Sequence, residues 1–292
     1  MSSGTTRVPA RFRRLKRLLS ILVVGSLLLG AWGFWWEPSG LRVQEECIEL
    51  KWPYERSWRV AVLTDLHVGS PFNGLAKLRD IVDRTNRAAP DVILVLGDLV
   101  IQGVLGGTFV SPEDTAAELS RLHAPDGVFG VLGNHDVWLD ANRVQRALQS
   151  AGIPVLEDRA IRVETRAGAL WLAGLSDYWT RAHDVGAALA TVADPELPVI
   201  AFTHNPDVFP DIPSRVTLTI AGHTHGGQVR LPLIGAPFVP SQYRQRFAAG
   251  HIIEESRHLY VATGTGTSIL PVRFRVPPAI AILTISGRCP KD

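Results

Sequence analysis

The sequence predicts an α/β protein: two packed sheets with helices on their outer faces in one domain, preceded by a single N-terminal transmembrane helix. Three observations carry this. A basic N-terminus runs straight into an uninterrupted apolar segment, short apolar strands alternate with helical patterns after residue 40, and the second half of the chain turns strand-rich. The 292 residues are 46% hydrophobic and 20% charged, so a sizeable core forms and intrinsic disorder is excluded.

Residues 1–17 hold Arg7, Arg11, Arg13, Arg14, Lys16 and Arg17 and no acid. Without these six the chain has 24 basic residues against 28 acidic ones, so the body has no general nucleic-acid footprint and no nucleic-acid partner is expected. Residues 18–36 carry no charge; as a helix they span about 28 Å, close to the hydrocarbon core of a bilayer. Trp32, Phe34, Trp35 and Trp36 gather at the far end, where aromatic rings settle among headgroups, and Glu37-Pro38-Ser39-Gly40 stops the helix. A cleaved secretory signal is the alternative, but large aromatics stand where a cleavage site needs small residues. A twin-arginine export signal at Arg13-Arg14 is a third reading. In each case residues 1–17 stay in the cytoplasm, and the body lies on the non-cytoplasmic face of a plasma membrane as a single-pass protein.

In the body, runs over 59–64 and 91–96 read as buried strands. Between them Leu75, Leu78, Ile81 and Val82 recur at helical spacing, with Asn73 as N-cap. A strand over 128–132 and a helix over 140–151 follow, then a hairpin pairing 159–165 with 169–173. Strands over 198–203, 216–220, 259–262 and 279–285 complete the pattern. Residues 231–250 lack any period and form either a functional surface loop or an ordinary connector. Cys47 and Cys289 are expected to be unrelated thiols; a bridge would need both ends of the body in one sheet and an oxidising compartment.

The chemistry sits at strand ends. Thr64-Asp65-Leu66-His67, Gly97-Asp98, Gly133-Asn134-His135-Asp136, Thr203-His204-Asn205 and Gly222-His223-Thr224-His225 follow successive strands and hold five of the nine histidines. Each cluster alone has a plain explanation in capping or turn formation. Together they put metal-ligand types where open α/β sheets place their sites. Carboxylates, imidazoles and one amide suit manganese first, then iron or zinc, and no thiolate takes part. Seven ligands exceed one tetrahedral ion and fit two divalent metal ions with a shared carboxylate.

In this order the five blocks resemble the complete signature of calcineurin-like metallophosphoesterases, over residues 60–228. That resemblance implies the αββα sandwich of that family, over 41–288, and hydrolysis of a phosphoester or pyrophosphate by metal-activated hydroxide. It implies that Asp65, His67 and His225 hold one metal, Asn134, His204 and His223 the other, and Asp98 bridges them. His135 would be the catalytic imidazole, oriented by Asp136. The blocks GHTHGGQ, THNPD, GTGT and PVRF are similar to a bacterial membrane-associated branch that includes UDP-2,3-diacylglucosamine pyrophosphatases of lipid A synthesis and exported phosphoesterases. The implied partners are the bilayer and a phosphorylated small-molecule or lipid substrate. For substrate, Asn205 and Gln228 are candidate donors and Arg273 a candidate bidentate phosphate clamp; each is equally a solvated surface residue. Asp177, Tyr178 and Trp179 either line the cleft or pack, and His123, His183, His251 and His258 are read as surface residues. A protein phosphatase is disfavoured, because Ile101-Gln102 stand where those enzymes carry Asp-Arg to grip phosphate. A non-catalytic membrane scaffold is the remaining rival. One conflict stands: a UDP-lipid substrate needs a cytoplasmic active site, unless the helix lies in the bilayer without crossing it.

Overall fold

The computed structural model describes residues 10–290, so Arg7 of the basic stretch lies outside the described residues. Helix α1 (Ala10–Ala31) runs into one wide π-turn, Trp32–Trp36, and a last short turn α2 (Glu37–Ser39). Residues Arg11–Ser39 together are long and apolar enough to cross a membrane and are almost wholly exposed.

Two mixed sheets make the body. The first contains β1 (Arg42–Glu49), β2 (Trp58–Leu63), β3 (Val92–Val95), β4 (Val128–Gly130) and β11 (Ala279–Ser286), in the order β1-β11-β2-β3-β4. The second contains β5 (Arg159–Glu164), β6 (Ala169–Gly174), β7 (Val199–Phe202), β8 (Leu218–Ala221), β9 (Gly250–Glu254) and β10 (Arg257–Val261), in the order β5-β6-β7-β8-β10-β9. Because alternate strand residues face opposite sides, β2 divides its side chains between two cores. Val60 and Val62 meet Leu172, Ile200 and Ile220 between the sheets. Ala61 and Leu63 lie under α3 (Leu75–Arg87) and α5 (Asn134–Ser150). Of the α3 face read from its period, Leu78, Ile81 and Val82 are buried and Leu75 is half-buried; Thr85 joins the buried face. The outer face of the second sheet has a thinner cover, α6 (Val185–Leu189) and the 3₁₀ segments Pro206–Asp211 and Arg244–Phe247.

The structure differs from the sequence reading at several points. Gly74, not Asn73, occupies the N-cap of α3, and the Asn73 amide donates instead to the Leu66 carbonyl. Helix α5 begins six residues before the expected start because it is two segments; Asp140 is extended (φ −179°) and its carboxylate caps the second through Arg143 N. Helix α4 (Pro112–Leu119), capped by Ser111, and edge strand β9 were not foreseen.

The cysteines also depart from expectation. Strand β1 pairs in parallel with β11, which brings Cys47 and Cys289 to a Cα separation of 5.9 Å, and they form a disulfide. The bridge ties the two ends of the body across 242 residues, a long loop whose closure constrains the unfolded chain strongly. Thiol labelling of the denatured, unreduced protein should therefore find no free cysteine. Cys47→Ser should lower unfolding stability by about 2–5 kcal/mol in denaturant titration.

Candidate metal centre

Asp65 and His67 follow β2, Asp98 follows β3, Asn134 and His135 follow β4, His204 follows β7, and His223 and His225 follow β8. All stand at the C-terminal ends of parallel strands, and the two sheets bring these ends to one place. The local backbone is shaped for this. Asp65, His67, Asp98, His223 and His225 all adopt positive φ, between 38° and 69°. Each such left-handed residue costs about 1–2 kcal/mol, a concentration of strain that surrounding structure must enforce. Two glycines permit the close approaches. A Cβ on Gly97 (φ +80°) would run into the backbone nitrogen of Gly133, and one on Gly264 (φ +65°) would stand 2.5 Å from Asp65 Cβ.

The side chains converge in two overlapping sets. In the first, His67 Nε2 lies 3.2 Å from His225 Nε2, and His225 Nε2 lies 3.3 Å from Asp65 Oδ1. In the second, His204 Nε2 lies 3.1 Å from His223 Nδ1 and 3.2 Å from Asn134 Oδ1. Asp98 Oδ2 joins them, 3.5 Å from His67 Nε2 and 3.3 Å from His204 Nε2. The other atoms of these groups are already engaged. Asp65 Oδ2 accepts from Thr64 Oγ1 and His223 N, and Asp98 Oδ1 accepts from His135 N. His67 Nδ1 faces the Val100 carbonyl and His204 Nδ1 the Leu96 carbonyl, so each Nδ1 donates there and Nε2 is the nitrogen turned toward the donor set. Asp65 Oδ1 is buried with no hydrogen-bond partner. Lone-pair donors this close repel one another in a buried site, and they fit a pair of cations sharing Asp98.

The electrostatics agree. Burial raises Asp65 to about 6 and Asp136 to about 7, with the Asp98 charge adding to both. Burial works against charge on Asp98 as well, but the neighbouring His204 and His67 hold it well below the usual carboxylate range. Burial pushes His67 to about 4 and His223 to about 3, keeping both neutral as metal ligands must be. His204, despite its burial, is held up to about 10 by Asp98 and Asp65. A buried pocket this rich in carboxylate favours positive charge at its centre.

His135 and Asp136 part company. The Asp136 carboxylate accepts from the backbone nitrogens of Asp98, Leu99 and Gly133, at 2.8–3.0 Å, and so clamps the β3 and β4 loops together. It makes no bond to the His135 imidazole, whose Nδ1 has no partner; the expectation that Asp136 orients that ring is corrected. The His135 ring stands edge-on to His67, 4.8 Å away, and packs on Trp138 at the cleft wall. One of its ring nitrogens also lies within 4.8 Å of ligand atoms of His67 and Asp98.

The substrate candidates fare differently. Arg273 is fully buried and gives its guanidinium to the carbonyls of Thr263, Gly266 and Val276, 3.5 Å behind His225 Nδ1. It is neither a phosphate clamp nor a surface residue. Asn205 is buried and caps the Pro206–Asp211 turn through Asp207 N. Gln228 lines the cleft, but its amide is bonded to Ser268 N and Leu270 O. Trp179 lines the cleft and meets the His223 ring edge-on at 4.3 Å, whereas Asp177 caps the turn that carries it. His251 and His258 stack on one another, half-buried, away from the donor sets. Sequence reasoning missed the apolar wall of the cleft, about 790 Å³, to which Trp138, Phe238, Ile269 and Leu270 contribute. The aperiodic 231–250 segment was the one available signal.

A donor cage at the joined ends of two sheets defines a metal-dependent hydrolase on an α/β sandwich. Residues 59–227 match the family model described as calcineurin-like phosphoesterase, and the chain belongs to that family. It is similar to phosphodiesterase YaeI of Escherichia coli (33% identity over 78% of this chain and 82% of the relative). It is also similar to the uncharacterized metallophosphoesterase YkuE of Bacillus subtilis (28% identity over 95% and 98%). A third relative, from Danio rerio, is described as a transmembrane protein with metallophosphoesterase domain (30% identity over 74% of this chain and 50% of the relative). The protein is thus a metal-dependent phosphoester hydrolase.

Proposed function

We propose that the chain is a membrane-anchored phosphodiesterase or pyrophosphatase whose domain, residues 41–288, stands on the non-cytoplasmic side of a bacterial plasma membrane and uses two manganese ions. The observation that carries the reading is the single oxygen, Asp98 Oδ2, common to both donor sets. Asp65, His67 and His225 with Asp98 would hold one ion, and Asn134, His204 and His223 with Asp98 the other. Such a pair would lower the pKa of a bound water and neutralise phosphoryl charge. The chain does the rest. Asp136 fixes the loops that aim Asp98 and Asn134. The His135 imidazole, open at the cleft wall, hydrogen-bonds a phosphoryl oxygen or protonates the leaving oxygen. Trp179 and Trp138 flank the donors at the cleft wall.

The exposed apolar helix and the basic N-terminus support anchoring with residues 1–17 inside. The Cys47–Cys289 disulfide supports a body in an oxidising compartment. That placement favours a phosphodiester of the cell envelope over a UDP-2,3-diacylglucosamine-like substrate, which a cytoplasmic active site would meet. The test is hydrolysis of bis-p-nitrophenyl phosphate by purified protein with Mn²⁺, alongside a side-specific reporter fused to the C-terminus. Chelation should abolish turnover and Mn²⁺ should restore it; chelator-resistant activity defeats the reading. A reporter active only in the cytoplasm would reinstate the UDP-lipid substrate.

A further inference from the structure

The anchor and the cleft are one structure. Gly33, inside the apolar segment, is buried, and its carbonyl accepts from Arg273 N at 2.9 Å; a Cβ there would stand 3.5 Å from Val272 Cγ2. One turn on, the buried Glu37 carboxylate takes Val276 N at 2.6 Å and Trp32 Nε1 at 2.7 Å. The helix is therefore clamped to the 272–276 segment at the level of Trp32–Trp36, which the bilayer holds among its headgroups. The chain just before this clamp, Ile269 and Leu270, lines the cleft.

From the helix end an apolar path leads to that cleft. Trp35 meets Phe72 with ring centroids 5.7 Å apart, and a Cβ on Gly106 would stand 3.5 Å from Cγ of the neighbouring Pro71. Leu105, beside Gly106, bonds Ile269 O through its backbone at 3.0 Å, and Phe238 stands with Ile269 and Leu270 at the cleft. These six large apolar side chains are between 38% and 68% exposed, a patch without a protein cover. Beside the clamp Arg42, Arg230 and Arg275 line a second hollow with no carboxylate partner among the described residues, as an anionic lipid surface would require.

We propose that this rim, Trp35, Phe72, Leu105, Ile269, Leu270 and Phe238, is seated in the interface of the bilayer that the anchor crosses, so that the cleft opens at headgroup level. The occupant is the lipid surface, fixed by the clamp at Gly33 and Glu37. The inference rests on the anchoring in the proposed function, and it makes the phosphate of a membrane amphiphile the group most directly presented to the metal centre.

The test uses the full chain in phosphatidylcholine–phosphatidylglycerol vesicles. Both native cysteines are bridged, so Leu105→Cys supplies one thiol for an environment-sensitive nitrobenzoxadiazole label. Glu164→Cys is the control; Glu164 pairs with Ala169 at the start of β6, the sheet end opposite the site. The label at 105 should shift to the blue and lose most of its emission to shallow doxyl-phosphatidylcholine, while that at 164 does neither. Leu270→Cys repeats the measurement if the first variant folds poorly. Labels at 105 and 270 as solvent-exposed as the control, on a chain that floats with the vesicles, overturn the docking. A chain that does not float overturns both docking and anchoring. Loss of bis-p-nitrophenyl phosphate hydrolysis with quenching intact supports the docking and separates it from the hydrolase reading.

Discussion

Asp98→Asn is expected to reduce turnover of bis-p-nitrophenyl phosphate by more than about 10³-fold and to lower the bound metal measured by elemental analysis. Removing a single preorganised electrostatic group from an active site typically costs about 10²–10³. Asp98 exceeds that case because Oδ2 faces both donor sets, at 3.5 Å from His67 and 3.3 Å from His204. Its Oδ1 also accepts from His135 N, so the charge and the β4 loop are coupled. The amide keeps the shape and loses the charge, which separates electrostatics from packing. Folding should survive, since the loops keep their clamp through Asp136. Retention of full metal content and activity would remove the shared ligand, and with it the reason for placing two ions.

His135→Ala is expected to lower turnover by about 10²–10⁴ while metal content is unchanged, the range for loss of a positioned acid or base. The imidazole has a partnerless Nδ1 and stands at the cleft wall between His67 and Trp138. Burial holds its pKa down and Asp98 pulls it back, and the negative charge of a bound phosphate would act in the same direction as Asp98. Its closeness to His67 and Asp98 makes metal analysis decisive. Loss of metal in the variant would make His135 a ligand, and an active variant would remove it from the chemistry.

Much of the site was legible because each donor block directly follows an apolar strand. Thr64-Asp65-Leu66-His67 and Gly222-His223-Thr224-His225 carry several metal-ligand types within a few residues, and small glycines beside them signal close backbone approach. Arg273 and Asp136 were misread for a common reason. Both make their bonds to backbone groups, Arg273 to carbonyls of its own and the preceding loop and Asp136 to amides of the β3 and β4 loops, and no residue pattern reports which carbonyl or amide a side chain will meet. The helix α5 start was missed because Asp140 breaks the period in mid-element.

By itself the sequence determined the apolar helix, the alternation of strands and helices, and the inventory of ligands, since these depend on local periodicity and on chemistry carried by single side chains. Only the tertiary structure decided the Cys47–Cys289 bridge, the backbone partners of Asp136 and the clamp that binds Gly33 to Arg273. Those are contacts between strand ends and loops far apart along the chain, and their partners are chosen by sheet order and register, which composition does not encode.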